Sequence, residues 1–116
     1  MPLTLYFASG SPPARATLLL ARYLNLEIEV KFVNLSAGEQ FSEDFVKLNP
    51  VKKVPVLVDG DFVLAESRAI LAYLANSRKA GNDLYPSEPK ARALVDMRLY
   101  YDATNVFVKL AELVVS

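Results

Sequence analysis

The 116-residue sequence predicts an α/β domain, a single sheet with helices packed on both sides, followed by one long helix. Three observations carry that expectation. Strand, helix and strand patterns follow one another between Leu3 and Val33; a hairpin signal sits at Asp59-Gly60; and residues 90–115 contain neither glycine nor proline. The length suits one domain of ordinary size and is too short for two full ones.

Leu3–Ala8, LTLYFA, is a short apolar run rich in β-forming residues and predicts a buried strand. Ser11-Pro12-Pro13 then has the form of a helix start, a serine cap followed by proline where no N–H is needed. From Pro12 to Leu24, Ala14, Leu18 and Ala21 recur at helical spacing, with Arg15 and Arg22 on the wet side. In EIEVKFV, Ile28, Val30 and Phe32 alternate with Glu27, Glu29 and Lys31, the pattern of a half-exposed strand. A strand, helix and strand so close together imply a parallel βαβ unit. Asn34–Phe41 is expected to be a loop, and Ser42 to cap a short helix whose Glu43 and Asp44 suit the helix dipole. VPVLVDGDFVL supplies two more strands around Asp59-Gly60, and Glu66–Asn76 a helix with Ala69, Ile70, Tyr73 and Leu74 on one face. Residues 79–89 form a polar break, after which Lys90–Val115 is expected as one helix, capped by Ser87. Apolar residues spread around most of that helix, so it is expected to need partners beyond the sheet: further helices, a second subunit, or both.

Composition excludes several chemistries. Thirteen basic and thirteen acidic residues cancel, so no net field recruits nucleic acid or an anionic membrane. There is no cysteine and no histidine, which removes thiolate nucleophiles, CxxC redox pairs, zinc-thiolate sites and any Ser-His-Asp triad within this chain; no metal site is expected. Without a long apolar run or a basic leader, a cytoplasmic protein is expected.

Four places remain where chemistry is possible, and each has a structural alternative. Ser11 is either a helix cap or a reacting-site hydroxyl. Pro55, inside a run that otherwise has strand character, marks a strand start, an edge or a cis bond; in the last case Val54 would offer its main-chain N–H and C=O to an extended peptide. Glu66 and Ser67 open a helix, where they are either capping groups or binders of a carboxylate at a helix N-terminus, with Arg68 beside them as a charged fork or a solvated side chain. Lys52 and Lys53 are either wet surface or a cationic pair at the mouth of the same region. Together these features suit a short peptide with a carboxylate at each end.

The ordered blocks FASGSPPARA, VNLSAGEQFSEDF, LNPVKKVPVLVDGDFVLAESRAILAYL and LYPSEPKARALVDMRLYYD resemble the insect delta/epsilon cytosolic glutathione transferases, and KKVP has a theta-like character. The resemblance spans almost the whole chain. It implies a thioredoxin-like domain, βαβ-α-ββα, over residues 1–80, a linker over 81–89, and the first helix of a truncated all-α domain over 90–116. It further implies a homodimer that conjugates glutathione, as co-substrate, to hydrophobic electrophiles in detoxification. By position, Ser11 would hydrogen-bond the glutathione thiolate, with Ser9 and Tyr6 as rivals. Val54 and Pro55 would hold the cysteinyl backbone, Glu66 and Ser67 the γ-glutamyl end with Arg68 alongside, and Gln40 and Lys52 the glycyl end, with Lys53 also among the glutathione-binding residues. Histidines are usual where this chain has Gln40 and Lys52, so an altered glycyl subsite is expected. Tyr101, Thr104 and Phe107 would face the electrophile. The alternative expectation is a non-catalytic glutathione-binding or assembly module of the same fold.

Overall fold

The computed structural model describes residues 2–78 and 83–115. Four strands, β1 (Leu3–Phe7), β2 (Ile28–Phe32), β3 (Val56–Asp59) and β4 (Phe62–Ala65), form one sheet in the order β2-β1-β3-β4. β1 pairs in parallel with β2, from Leu3 opposite Ile28 to Phe7 opposite Phe32, and antiparallel with β3, which pairs antiparallel with β4. Three helices belong to this unit: α1 (Pro12–Tyr23), α2 (Glu43–Leu48) and α3 (Ser67–Ser77). The order and the mixed sheet are those of the thioredoxin-like expectation.

Strand alternation puts a separate core on each face. Leu3, Leu5 and Phe7 of β1 and Leu57 of β3 are buried with Ala14 and Ala21 of α1 and Ile70 and Leu74 of α3. On the other face Val56 and Phe45 of α2 are buried with Val33, and Tyr6 packs against them. Each fully buried side chain of this size contributes about 1.5–3 kcal/mol, so central strands closed on both faces anchor everything attached to their ends. Thr17, whose polarity disguised it, is wholly buried on α1, its hydroxyl satisfied by donation to the Ala14 carbonyl at 2.7 Å.

Local chemistry explains the ends of the elements. Ser11 caps α1, its Oγ accepting from the Ala14 N–H, and Ser42 caps α2 by accepting from the Phe45 N–H. Asn25, at φ 56°, closes α1: its N–H donates to the Arg22 carbonyl and the Leu26 N–H to the Ala21 carbonyl. The hairpin loop is Gly60-Asp61, one residue later than Asp59-Gly60; Asp59 stays in the ladder opposite Phe62, and Gly60 takes φ 66° at the first loop position.

Several expectations need correcting. Phe32 is 72% exposed despite the alternation, because it ends an edge strand beyond the helical cover and only its ring edge meets Phe7. Ala69 is exposed, and the buried face of α3 is Ser67, Ile70, Leu74 and Ala75. Glu88 rather than Ser87 caps the next helix, accepting from the Lys90 and Ala91 N–H groups; these bonds lower the Glu88 pKa. That helix is not uniform either. It runs as α4 (Pro89–Tyr101), a π turn (Asp102–Val106) and α5 (Phe107–Val115). Of the expected polar break, residues 79–82 lie outside the described residues; Tyr85 and Pro86 are tied to α4 through Asp96 and Arg92.

The end of α3 is fixed to the sheet by Asp59, which accepts from the Tyr73 hydroxyl at 2.6 Å and from Arg78 at 2.8 Å. Donation to Asp59, then burial, raises the Tyr73 pKa above 10.0, and donation to Asp96 does the same for Tyr85. A raised pKa means that the folded state holds the proton more firmly than the unfolded chain. The stabilisation is therefore complete below about pH 10 and is lost as pH climbs through the folded value. Urea midpoints followed from pH 7 upward should fall steeply above about pH 10. In Tyr73→Phe that fall should be shallower, with about 1 kcal/mol already missing at neutral pH.

Candidate functional site

A cleft of about 640 Å³ opens where the first turns of α1 and α3 converge. Ser11, Pro12 and Pro13 come from the start of α1, Glu66, Ser67 and Arg68 from the start of α3, and Asn49 and Val51 to Pro55 from the loop leading into β3. The start of α3 directs main-chain N–H groups and a positive dipole end toward it, whereas α1 adds its dipole without free N–H groups, because Pro12 and Pro13 have none and the Ala14 N–H is held by Ser11 Oγ. Lys52 and Lys53 add formal positive charge against the carboxylate of Glu66, while Arg68 is paired with Asp102. The formal charges of the lining thus lean positive.

Ser11 is half-buried. Its Oγ accepts the Ala14 N–H at 3.2 Å, its own N–H donates to the Ala8 carbonyl, and its C=O receives the Arg15 N–H. No described residue accepts the hydroxyl proton, so the O–H remains a donor, sharpened by the amide bonded to its oxygen. Capping thus uses the oxygen of the hydroxyl and leaves its proton free.

The loop from Asn49 to Lys53 is shaped by a side chain that the sequence reading passed over. Asn49 is 5% exposed; its Nδ2 donates to the Lys53 carbonyl at 2.9 Å, and its Oδ1 accepts the Val51 N–H at 3.1 Å. The Lys52 N–H also returns to the Asn49 carbonyl. The Asn-Pro pair at 49 and 50, a turn-forming dipeptide, was the available signal. Lys52 itself takes φ 64°, and its ammonium lies 5.9 Å from the Phe41 ring centre. Val54-Pro55 is a cis peptide, and β3 begins at the next residue. The Val54 main chain takes part in no turn, loop or cap hydrogen bond among the described residues, which leaves its N–H and C=O at the cleft wall.

Glu66 precedes α3 at φ 74°, and its carboxylate makes no capping bond, so it is exposed and uncommitted. Two cleft residues other than glycine at positive φ, Lys52 and Glu66, each cost about 1–3 kcal/mol, which is strain placed at the site. Ser67 is buried. Its Oγ accepts from Arg68, whose Nε and remaining nitrogen meet Asp102 Oδ2 at 2.8 and 2.7 Å. The Arg68 guanidinium also lies 5.3 Å from the Phe107 ring centre. Arg68 is therefore not a free surface charge; it ties the start of α3 to the π turn.

The cleft brings together Ser11, Gln40, Lys52, Lys53, Val54, Pro55, Glu66, Ser67, Arg68 and Phe107. Tyr6 is elsewhere, on the opposite face of the sheet against Phe45, and Ser9 is exposed in the turn after β1, outside the lining. Tyr101 and Thr104 are exposed and do not line it; Ala103 and Val108 take those places beside Phe107.

Residues 1–76 match the N-terminal domain of glutathione S-transferases, which accounts for well over half of the chain. The chain belongs to the glutathione S-transferase family. It is 42% identical over 112 residues to glutathione S-transferase D7 of Anopheles gambiae, covering 97% of this chain and 51% of that protein. A delta-class transferase structure from Nilaparvata lugens superposes with a TM-score of 0.90 at 40% identity, covering 96% of this chain and 52% of that one. A transferase homologue from Drosophila mojavensis, solved with bound glutathione, gives 0.86 at 43% identity, over 89% and 47%. This glutathione S-transferase chain spans about half the length of the relatives it matches. Gln40 and Lys52, where the resemblance implied histidines to be usual, both belong to the cleft. Gln40 lines it with a buried Oε1 that has no partner among the described residues, and Lys52 stands at the rim. Among the described residues no helix is long and apolar enough to cross a membrane.

Proposed function

We propose that this chain is the glutathione-binding half of a transferase that stabilises the glutathione thiolate for attack on hydrophobic electrophiles. One observation supports the reading above the others: the Ser11 hydroxyl proton, the Val54 main chain and the Ser67 helix end all open on one cleft. The extended cysteinyl backbone would pair with Val54 as an added strand, the γ-glutamyl carboxylate would meet the start of α3 beside Ser67, and the glycyl carboxylate would lie near Gln40, Lys52 and Lys53.

A thiol begins near pKa 8.5, and lowering it by two units requires about 2.7 kcal/mol. One charge-assisted hydrogen bond supplies roughly 1.5–3 kcal/mol, and a helix N-terminus adds about 0.3–1 kcal/mol. The thiol proton leaves to solvent, the sulfur anion accepts from Ser11, and its lone pair forms the new C–S bond as the leaving group departs with the electrons of the bond it breaks. Ser11 stabilises charge and removes no proton, so the absence of histidine is no obstacle. Residues 1–80 would form the glutathione domain and residues 90–116 open the second, all-α domain, within a cytoplasmic homodimer serving detoxification.

The test is retention. The chain should bind immobilised glutathione and elute with free glutathione, and a folded chain that passes straight through would overturn the reading. A non-catalytic assembly module of the same fold draws on the exposed Met97, Tyr100 and Leu113. It is favoured if a conjugation rate measured with a chlorodinitrobenzene acceptor is the same in Ser11→Ala.

A further inference from the structure

The helix after Pro89 changes register where it meets the cleft, and nothing in its composition requires that. Over Asp102–Val106 the main chain adopts a π turn, with the Phe107 N–H bonded to the Asp102 carbonyl five residues back. An α-helix advances about 100° per residue, so one extra residue in a turn rotates everything beyond it by about that angle. Ala103, Phe107 and Val108 face the cleft, whereas Tyr101 and Thr104 stand outside it.

Two contacts hold this register. Asp102, the first residue of the turn, carries the Arg68 ion pair, and Phe107, the first residue after it, lies under the Arg68 guanidinium. Inside the turn the Thr104 hydroxyl donates to the Tyr100 carbonyl at 2.8 Å, and the Asn105 side-chain amide donates back to the Thr104 oxygen. A threonine hydroxyl bonded to the carbonyl four residues back bends a helix, and π turns recur at functional sites.

We infer that the π turn, held by Thr104, selects the helix side that faces the cleft and so shapes the apolar subsite for the group joined to the glutathione sulfur. Thr104 is then a positioning residue that need not touch the ligand. The inference rests on the glutathione reading above.

The test compares glutathione with S-hexylglutathione, titrated calorimetrically against the intact chain and its variants. The wild-type chain should bind the hexyl derivative about tenfold tighter, from partial burial of the alkyl chain. Thr104→Val, which keeps shape and loses the hydroxyl, should shrink that ratio at least threefold, and Thr104→Ser should restore it. Deleting Asn105, which returns the segment to an α register, should abolish the preference. Glutathione binding with a ratio unmoved in folded Thr104→Val and in the deletion variant overturns this inference alone. Failure of the wild-type chain to bind glutathione overturns the site reading and this inference with it.

Discussion

Replacing Ser11 by glycine should raise the pKa of bound glutathione's thiol by one to two units while leaving the fold nearly as stable as before. The two roles of Ser11 separate because they use different parts of the hydroxyl: the oxygen accepts the Ala14 N–H, and the proton is free for the cleft. At a helix cap, glycine costs only a few tenths of a kcal/mol, whereas alanine costs about 1 kcal/mol. Both substitutions delete the donor to the sulfur anion. Ser11→Ala should therefore lower thermal stability and raise the thiol pKa, and Ser11→Gly should do only the second. The pKa is read from the ultraviolet absorbance of the bound thiolate against pH, which needs no turnover by this chain. Where conjugation is measurable, its rate at neutral pH should drop about 100-fold, the usual effect of losing one donor to a developing anion. A thiol pKa unmoved in both variants would show that the sulfur does not sit against this hydroxyl.

The largest combined loss of stability and affinity is expected from Asn49→Ala. Asn49 is buried and satisfies the Lys53 carbonyl and the Val51 N–H at once. Both bonds are only part-buried and Val51 and Lys53 are exposed, so water can take over part of each; at about 0.5–1.5 kcal/mol per bond the variant should lose roughly 1–3 kcal/mol of a total near 5–15 kcal/mol. The damage is local to the loop carrying Lys52, Lys53 and Val54, three residues of the cleft wall. Glutathione affinity should accordingly weaken at least about tenfold, or 1.4 kcal/mol, beyond what unfolding explains. Denaturant midpoints measure the first effect and calorimetric titration the second. A normal midpoint combined with normal affinity would mean that the loop keeps its shape without Asn49.

What could be foreseen of this site follows from the range of each interaction. Ser11 and Ser42 were legible as caps because a cap acts across three residues, and both make the expected bonds. Gly60 marked its hairpin for the same reason, since a positive φ is a local demand. Asn49 was missed although its partners are only two and four residues away, because a buried asparagine looks like any turn residue until its burial is known. The Arg68–Asp102 pair spans 34 residues, and no local pattern distinguished that arginine from a solvated one. Tyr101 and Thr104, which the resemblance placed toward the electrophile, stand outside the cleft lining, and the π turn beside them is announced by no glycine or proline.

By itself the sequence determined the order of elements, the Ser11 and Ser42 caps though not the cap at Glu88, and the absence of cysteine and histidine chemistry from its own side chains, because these depend on residue type and on contacts within a few positions. Only the tertiary structure decided that the starts of α1 and α3 share one cleft, that Tyr6 faces the other side of the sheet, and that Phe107 rather than Thr104 meets the cleft. Those outcomes depend on strand pairing and helix register, in which a shift of one residue turns a side chain to another face.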